Sequence, residues 1–547
     1  MSHSAEISDE FLAQLKEDLV RRRVGRGMAR LEGRHDLLTC CDPDNKNAAL
    51  FAGYLAQWVD IGFPHFALVK EMVASFSKAQ RTHLPLYDYL HLRMAAGMVA
   101  MAEESTDEAI RHFDFVLGLE QEIDDKELLA IANFWKGRCL RMKGEYDQAL
   151  VFAARGRELA HELGHPAMAA VMRVLESWLA FQKGDAKRAL EMLHDAEEVL
   201  RKTDDDLTLG NIHSSYGRIA SHQGRYEHAL ESFAAAIAHY KKRDPLHRNV
   251  ARSLNNMGYV KRLIALQLRS KIDAEAARRR RSAVRGRAAR GSGKVQYRQR
   301  FEQLRQEALA ELAEAAAIYE RHGNHHGLGS VNLNYGYLHL DSGDLELAEE
   351  KAKTAFLLGE TRRDYILMAR ARLLQCMVEN ARVEERIGEA TEPGSHARLA
   401  RDCAQQAVEL AQQTQNRRLL ANAYVWQGLT LCNRFFDDPE LARRCYDQAT
   451  ALSRGEQAGG AWDDLQTLKA RVLRGGNVNP LLRAWSQGSV GDKTFQQISE
   501  EFAELVIPKV WEREGRKVSR VAARLSVSPK KVRRILNRVG RRKPPAE

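Results

Sequence analysis

Apolar and small residues recur at three- and four-residue intervals along most of the chain. Stretches such as RSLNNMGYVKRLIALQ (252–267) and GSVNLNYGYLHLDSG (329–343) predict helices with one buried stripe. The stripes themselves repeat. Ala109, Ala149, Ala189 and Ala229 stand 40 residues apart, and the text around them recurs as KGEYDQAL (143–150), KGDAKRAL (183–190), QGRYEHAL (223–230) and SGDLELAE (342–349). Ala308 to Ala348 is again 40 residues. A second small position keeps the period at Gly137, Ser177 and Gly217, continues at Gly258 and returns at Gly336 and Gly428. A helical period of this length predicts an all-α solenoid of helix pairs. No pair can bury its stripe alone, so the array stacks into a superhelix with a concave groove. Gly or Ala at a crossing lets two backbones approach, and the recurring Gly-Asp or Gly-x-Tyr turn ends each first helix with a residue tolerant of positive φ.

These words resemble the tetratricopeptide repeat (TPR) family in its 40-residue variety, as in kinesin light chain. The resemblance covers roughly residues 50–455, about eight units, of which the first (51–85) is weak. Two insertions interrupt it: Ala229 to Ala308 is 79 residues, and Ala348 to Ala404 is 56. The domains expected are an N-terminal helical cap (1–50), a solenoid (51–474) with insertions near 268–300 and 380–396, a linker (475–494) and a C-terminal domain (495–547). The resemblance implies that the groove binds a peptide or protein segment. It also implies that Asn side chains on first helices hold the ligand backbone, here Asn211, Asn255, Asn256, Asn332, Asn334 and Asn422. An amide can donate to and accept from a peptide unit at once.

Past Gly475 the period stops. FQQISEEFAELVIPKVWEREG predicts a long amphipathic helix with a kink or break at Pro508. KVSRVAARLSVSPKKVRRILNRVGRR then predicts a helix over 517–525, a turn at Ser526 and Val527, and a second helix with Ser528 as N-cap and Pro529 at N1. Val521, Ala522 and Leu525 should face Val532, Ile535, Leu536 and Val539. The spacing is that of a helix-turn-helix. It resembles the C-terminal DNA-binding domain of the Fis and nitrogen-regulator family over roughly 495–543, departing at Ser526, where that family usually carries Gly. On such a recognition helix Lys530, Lys531 and Arg534 would reach base edges, with Arg533, Asn537 and Arg538 also facing outward. Arg516, Lys517, Arg520, Arg538, Arg541 and Arg542 would meet phosphates. Modules of this kind usually act as dimers, and 495–513 is the candidate dimer element through Phe495, Ile498, Phe502, Leu505 and Val506.

Charge sharpens this picture. The chain of 547 residues has a formal net charge of +11. Residues 270–300 hold eleven Lys/Arg against Asp273 and Glu275, and residues 509–543 hold fourteen against Glu512 and Glu514, so the remainder sums to about −10. An acidic body with two basic segments suits a polyanion, and DNA is the expected partner. The Arg-rich run RRRRSAVRGRAARGSGK (278–294) lacks a hydrophobic stripe and reads as a mobile loop, the alternative being an auxiliary contact for nucleic acid or an acidic partner.

Other chemistry is disfavoured. His161 and His165 fit H-E-x-x-H, but Gly164 and Pro166 place His165 in a turn, where the shared helix face is lost. Gly291–Lys294 lacks the first Gly, the Ser/Thr and the preceding strand of a phosphate-binding loop. His322, His325 and His326 fall in an inter-helix turn. The seven scattered Cys, with no CxxC pair, suggest reduced thiols in a cytoplasmic protein. No apolar run reaches membrane-spanning length. The expectation is a non-enzymatic DNA-binding transcriptional regulator without metal or cofactor. The alternative is a TPR adaptor or assembly scaffold whose basic tail contacts RNA or acidic partners non-specifically.

Overall fold

The computed structural model describes residues 6–39, 42–284, 293–385, 393–433, 435–453, 460–475 and 491–542. All its regular elements are helices, and they fall into two compact units, 1–472 and 473–547.

The first unit is a solenoid of TPR-like helix pairs. After an N-terminal cap (Asp9–Val20, Val24–Glu32, His35–Thr39) and an irregular pair (Ala48–Asp60, Phe66–Ser75), regular pairs begin at Leu86–Ala102 with Thr106–Leu117. Lys126–Lys143 with Tyr146–Glu162, Pro166–Gln182 with Ala186–Leu200, and Asp206–His222 with Tyr226–Lys241 follow at the 40-residue period. Gly144, Gly184, Gly224 and Gly343 take φ of 84°, 93°, 72° and 80°, so the left-handed turn read from the repeat text closes each first helix. Ala109, Ala149, Ala189, Ala229, Ala308 and Ala348 are each fully buried. Opposite them the small positions are tight: a Cβ on Gly137 would lie 3.1 Å from the Ala149 carbonyl oxygen and 3.3 Å from the Ala153 nitrogen. Where Ser177 replaces Gly, its hydroxyl donates to the Ala189 carbonyl at 2.9 Å, which satisfies the one polar group that the crossing buries.

The insertions differ from expectation. The extra period near 268–300 is taken up by lengthening both helices of one pair, Arg248–Val284 (37 residues) and Gly293–Arg321 (29 residues). The run 278–294 is therefore helical at both ends. Arg and Ala are strong helix formers, so propensity favours helix here without an apolar stripe. Its middle, 285–292, lies outside the described residues, as do the side chains of 275–295. The second insertion likewise lengthens Tyr365–Glu385 and Pro393–Gln412, with 386–392 outside the described residues.

Contacts across 180–270 residues wind the array back on itself. The Gln415 amide donates to the Gly144 carbonyl at 2.9 Å, and the Asp147 amide donates to Gln415 Oε1 at 2.6 Å. Asn416 Nδ2 donates to the Tyr146 hydroxyl at 3.3 Å. Glu104, in the left-handed conformation at φ 62°, accepts from the backbone amides of His325 (3.1 Å) and His326 (3.2 Å). Asp204 does the same for the N-terminal cap, accepting from the Val24 and Gly25 amides at 2.6 Å each.

In the second unit, Phe495–Arg513, Val518–Leu525 and Pro529–Arg542 enclose Ile507, Val521, Ala522, Val532 and Ile535. Leu525, Leu536 and Val539 pack against that core, as their spacing predicted. The first of these helices runs unbroken through Pro508, where a kink or break was expected. Ser526 sits at φ 51°, ψ 43°, the left-handed conformation in which Gly is usual. The Ser528 hydroxyl accepts from the Lys531 amide at 3.2 Å, as an N-cap should.

Candidate ligand groove and basic helix

The concave side of the solenoid encloses a groove of about 2040 Å³. First helices of successive repeats supply most of its wall, so each repeat adds residues at positions set by the period. Asn211, Asn255, Asn256, Asn334 and Asn422 line it. Asn332 does not, and its Nδ2 donates to the Leu328 carbonyl at 2.9 Å. The reason is helical phase: Ser330, Asn334, Tyr337 and Asp341 line the groove, and a residue two positions from Ser330 is turned about 200° from it.

The lining asparagines fall into two groups. Asn211 Oδ1 accepts from Tyr240 (2.9 Å), Asn249 (3.2 Å) and Arg252 (2.8 Å). Asn255 donates to Ser330 Oγ at 3.0 Å and accepts from Asn334 at 2.8 Å, and both Asn255 and Asn334 are buried. These three brace neighbouring repeats. Among the described residues Asn256 and Asn422, by contrast, show no protein hydrogen-bond partner on the amide, and Asn422 Oδ1, like Asn334 Oδ1, is a buried acceptor without a donor. Buried acceptors are rarely left so, which marks Asn422 as a position where a ligand N–H fits.

The sequence reading missed the groove's arginines. Arg138 pairs with Asp60 at 2.7 Å and Arg248 with the same carboxylate at 3.6 Å. Burial works against ionising Asp60, but the Arg138 guanidinium outweighs it and holds the carboxyl below its usual range. Arg262 pairs with Asp341 through both carboxylate oxygens. Arg141 and Arg218 have no carboxylate. Their guanidiniums lie 5.1 Å and 5.3 Å from the ring centre of Trp178, within cation–π range. Burial and the neighbouring guanidiniums of Arg138, Arg252 and Arg218 push Arg141 down to about 9. Burial together with Arg252, Arg418 and Arg370 pushes Arg218 down to about 10. Both remain charged at neutral pH. His222 and His247, also in the wall, are each pushed to about 3 by burial and nearby arginines, so they stay neutral. The signal was hidden because composition windows sum inner and outer faces of a helix together.

The histidine-bearing motifs resolve as structure. His161 lies in Tyr146–Glu162 while His165 follows Gly164 at φ 71° and bonds Glu127 at 2.9 Å. His322 bonds the Leu246 carbonyl at 2.8 Å, His325 bonds Glu104 at 3.2 Å, and His326 bonds Asp364. Among the described residues no group of His, Cys, Asp and Glu has the arrangement of a metal site, and no helix is long and apolar enough to cross a membrane. Cys139, Cys376, Cys403, Cys432 and Cys445 are free thiols. Cys40, Cys41 and the Gly291–Ser292 part of the phosphate-loop-like run lie outside the described residues.

In the second unit Arg516, Lys517, Arg520, Ser528, Lys530, Lys531, Arg533, Arg534, Asn537 and Arg538 are all exposed. The side chains of Arg541 and Arg542 lie outside the described residues. Two of these cations are engaged within the unit: Arg534 pairs with Glu500 at 3.0 Å, and Arg538 with Glu500 at 2.8 Å and Glu504 at 3.2 Å. Among the described residues Lys530, Lys531 and Arg533 make no ion pair, Lys531 acting on Glu500 only at longer range. Phe495 and Phe502 are 85% and 48% exposed on the helix named above as a dimer element.

No protein-family model and no curated protein matches the chain. Solved structures do. A Rap protein complexed with competence and sporulation factor superposes with a TM-score of 0.50 at 14% identity, over 74% of this chain and 98% of that one. The Rap conjugation gene regulator of plasmid pLS20, in complex with the Phr* peptide, gives 0.42 at 11% identity over 74% and 96%. The first likeness shows a shared solenoid fold.

Proposed function

We propose that this chain is a non-enzymatic DNA-binding transcriptional regulator, with a C-terminal helix-turn-helix that reads DNA and a solenoid groove that takes a peptide or protein segment. The observation that carries the DNA half is the three-helix unit. Its last helix is capped by Ser528, packs through Val532 and Ile535, and presents Lys530, Lys531 and Arg533 to solvent outside any ion pair among the described residues. A helix whose N-terminal turns carry free cations on an exposed face suits the major groove. The groove half is supported by the open amides of Asn256 and Asn422. The similarly folded Rap protein was solved in complex with a factor, which supports a ligand-binding role for the solenoid. Dimerisation through Phe495 and Phe502 would cover two exposed rings and set two reading helices about one DNA turn apart. Such a protein acts in the cytoplasm, where bacterial-type regulators meet DNA.

A selection of genomic fragments by full-length protein at two salt concentrations tests this reading, with Lys530→Ala/Lys531→Ala as the comparison. A recurrent near-palindromic site, lost in the variant, is the expected result. Recovery of arbitrary fragments that fades with salt would instead favour the adaptor with a non-specific basic tail.

A further inference from the structure

We propose that the groove recognises an acidic peptide, with Arg141 and Arg218 beside Trp178 and Arg370 in the same groove forming a seat for neighbouring carboxylates of the bound segment. The proposal rests on the peptide-binding reading of the groove and deepens it.

Charge complementarity is the first support. The groove is lined by fourteen Lys/Arg and eight Asp/Glu, an excess of positive charge inside a body whose sequence outside the two basic windows is acidic. The sign of the concave face is thus opposite to that of the surface around it. Partnering is the second. Arg138, Arg248 and Arg262 are each matched by Asp60 or Asp341, whereas among the described residues Arg141, Arg218 and Arg370 have no carboxylate within ion-pair distance, Arg370 reaching Asp364 only at longer range. Holding like charges together without a counter-ion destabilises the empty groove, and the depressed values of Arg141 and Arg218 reflect burial first and that repulsion second. A ligand carboxylate relieves it.

Geometry is the third. Cation–π contacts with Trp178 hold both guanidiniums beside one ring, and a planar guanidinium fork binds carboxylate through two parallel hydrogen bonds. Arg141 and Arg218 belong to Lys126–Lys143 and Asp206–His222, Arg370 to Tyr365–Glu385. These stretches approach one another where Ile366 and Thr414 lie against Gly144. The seat therefore joins two stretches of the superhelix distant in sequence, and a multivalent anion there ties them together. A peptide is favoured over a nucleic acid because Asn256 and Asn422 share the wall with Leu175, Val260 and Met377. Amides and aliphatic side chains suit a peptide's backbone and apolar residues.

The test is fluorescence anisotropy on the full-length protein with two labelled octapeptide pools. One is built from Ala, Leu, Tyr, Asp and Glu, the other carries Asn and Gln in place of the acids. The acidic pool should bind about tenfold or more tightly at 0.1 M salt, as expected for charge-assisted hydrogen bonds. Arg218→Gln and Arg141→Gln should each weaken it about tenfold, and Arg218→Lys should keep part of the affinity. Arg218→Gln should melt no lower than the native protein, since it removes an unpaired charge. Equal binding of both pools, unaffected by Arg218→Gln, overturns the carboxylate seat and leaves the peptide groove standing. Binding of neither pool overturns the peptide reading and the seat with it. Tighter binding of oligo-dT that is lost in Arg218→Gln overturns the choice of a peptide.

Discussion

Replacing Glu104 with Ala should open the superhelix where it closes on itself. The carboxylate is almost fully buried, 7% exposed, and accepts from the His325 and His326 amides, the first donors of the helix His325–Ser342. Those donors have no partner within their own helix. A hydrogen bond to a charged group contributes roughly 1.5–3 kcal/mol when its partner is left unsatisfied. The His326 amide lies at the surface, where water replaces part of the loss, so the pair together should account for about 2–3 kcal/mol. That corresponds to local opening made easier by roughly thirtyfold to a hundredfold, at about 1.4 kcal/mol per decade. Glu104→Gln retains an acceptor but loses the charge and should fall about midway. Hydrogen exchange resolves this amide by amide: His325 and His326 should exchange faster, and Leu193 and Ala196, in a repeat remote from the contact, should not. Unchanged exchange at His325 and His326, or an equal rise everywhere, would refute the view that Glu104 locks one turn of the solenoid to another.

The adjoining pair His326–Asp364 makes stability depend on pH. Asp364 raises the His326 pKa above 6.5, so its contribution is fully present below about 6.5 and lost as pH rises through the raised folded value. Burial opposes ionisation of Asp364, but His326 outweighs it and lowers the carboxyl below 3.8, so that share is lost only as pH falls through the lowered value. Denaturant midpoints should therefore drop as pH rises above about 6.5 in the native protein but less in His326→Gln. Gly137→Val must force apart two backbones, since its Cβ meets the Ala149 oxygen and the Ala153 nitrogen, and should cost about 3 kcal/mol or more in urea unfolding. Gly184→Ala, at φ 93° with open space around it, should cost only about 1 kcal/mol by the same measurement. Ser526→Gly should stabilise the C-terminal unit by about 0.5–1 kcal/mol by removing a left-handed Ser, read as slower exchange over Val518–Leu525. Faster exchange there would count against the strain.

What was legible in the sequence follows the period. The 40-residue spacing of Ala149, Ala189 and Ala229 placed helix boundaries, crossings and left-handed turns because each is a local consequence of one repeat's residues. The C-terminal core was legible for the same reason: Val521, Ala522, Val532 and Ile535 lie on two short stripes separated by one turn. Asn332 was misplaced although Asn334 was not, because two residues of helical phase decide which side of the wall a side chain occupies. The run at 278–294 reads as a loop for want of an apolar stripe; its ends are helical, because Arg and Ala favour helix without a stripe to bury, and 285–292 lie outside the described residues. The contacts of Glu104 and Asp204 were not legible at all. They join residues 221 and 180 positions apart, and nothing in a repeat's own text says which distant repeat comes round to meet it.

Those two carboxylates nonetheless obey a common rule that bears on how such a groove could report occupancy. Each sits in a turn between helices and caps the N-terminus of a helix far along the chain, Glu104 for His325–Ser342 and Asp204 for Val24–Glu32. A helix N-terminus carries unsatisfied donors and partial positive charge, so a carboxylate there gains both hydrogen bonds and dipole attraction. Beside these hydrogen bonds one continuous buried apolar cluster runs from the N-terminal cap and first repeats to Leu207, Tyr240, Tyr319 and Val331, so the two carboxylates select which turns meet and do not hold them alone. Arg141 lies three residues before Gly144, whose carbonyl accepts from the Gln415 amide across turns, and repulsion from Arg218 adds to the burial that opposes its charge. In the proposed reading, a ligand carboxylate that neutralises this repulsion acts beside a joint between turns without disturbing the core of any repeat, which is the kind of place where occupancy of the groove would be felt along the solenoid.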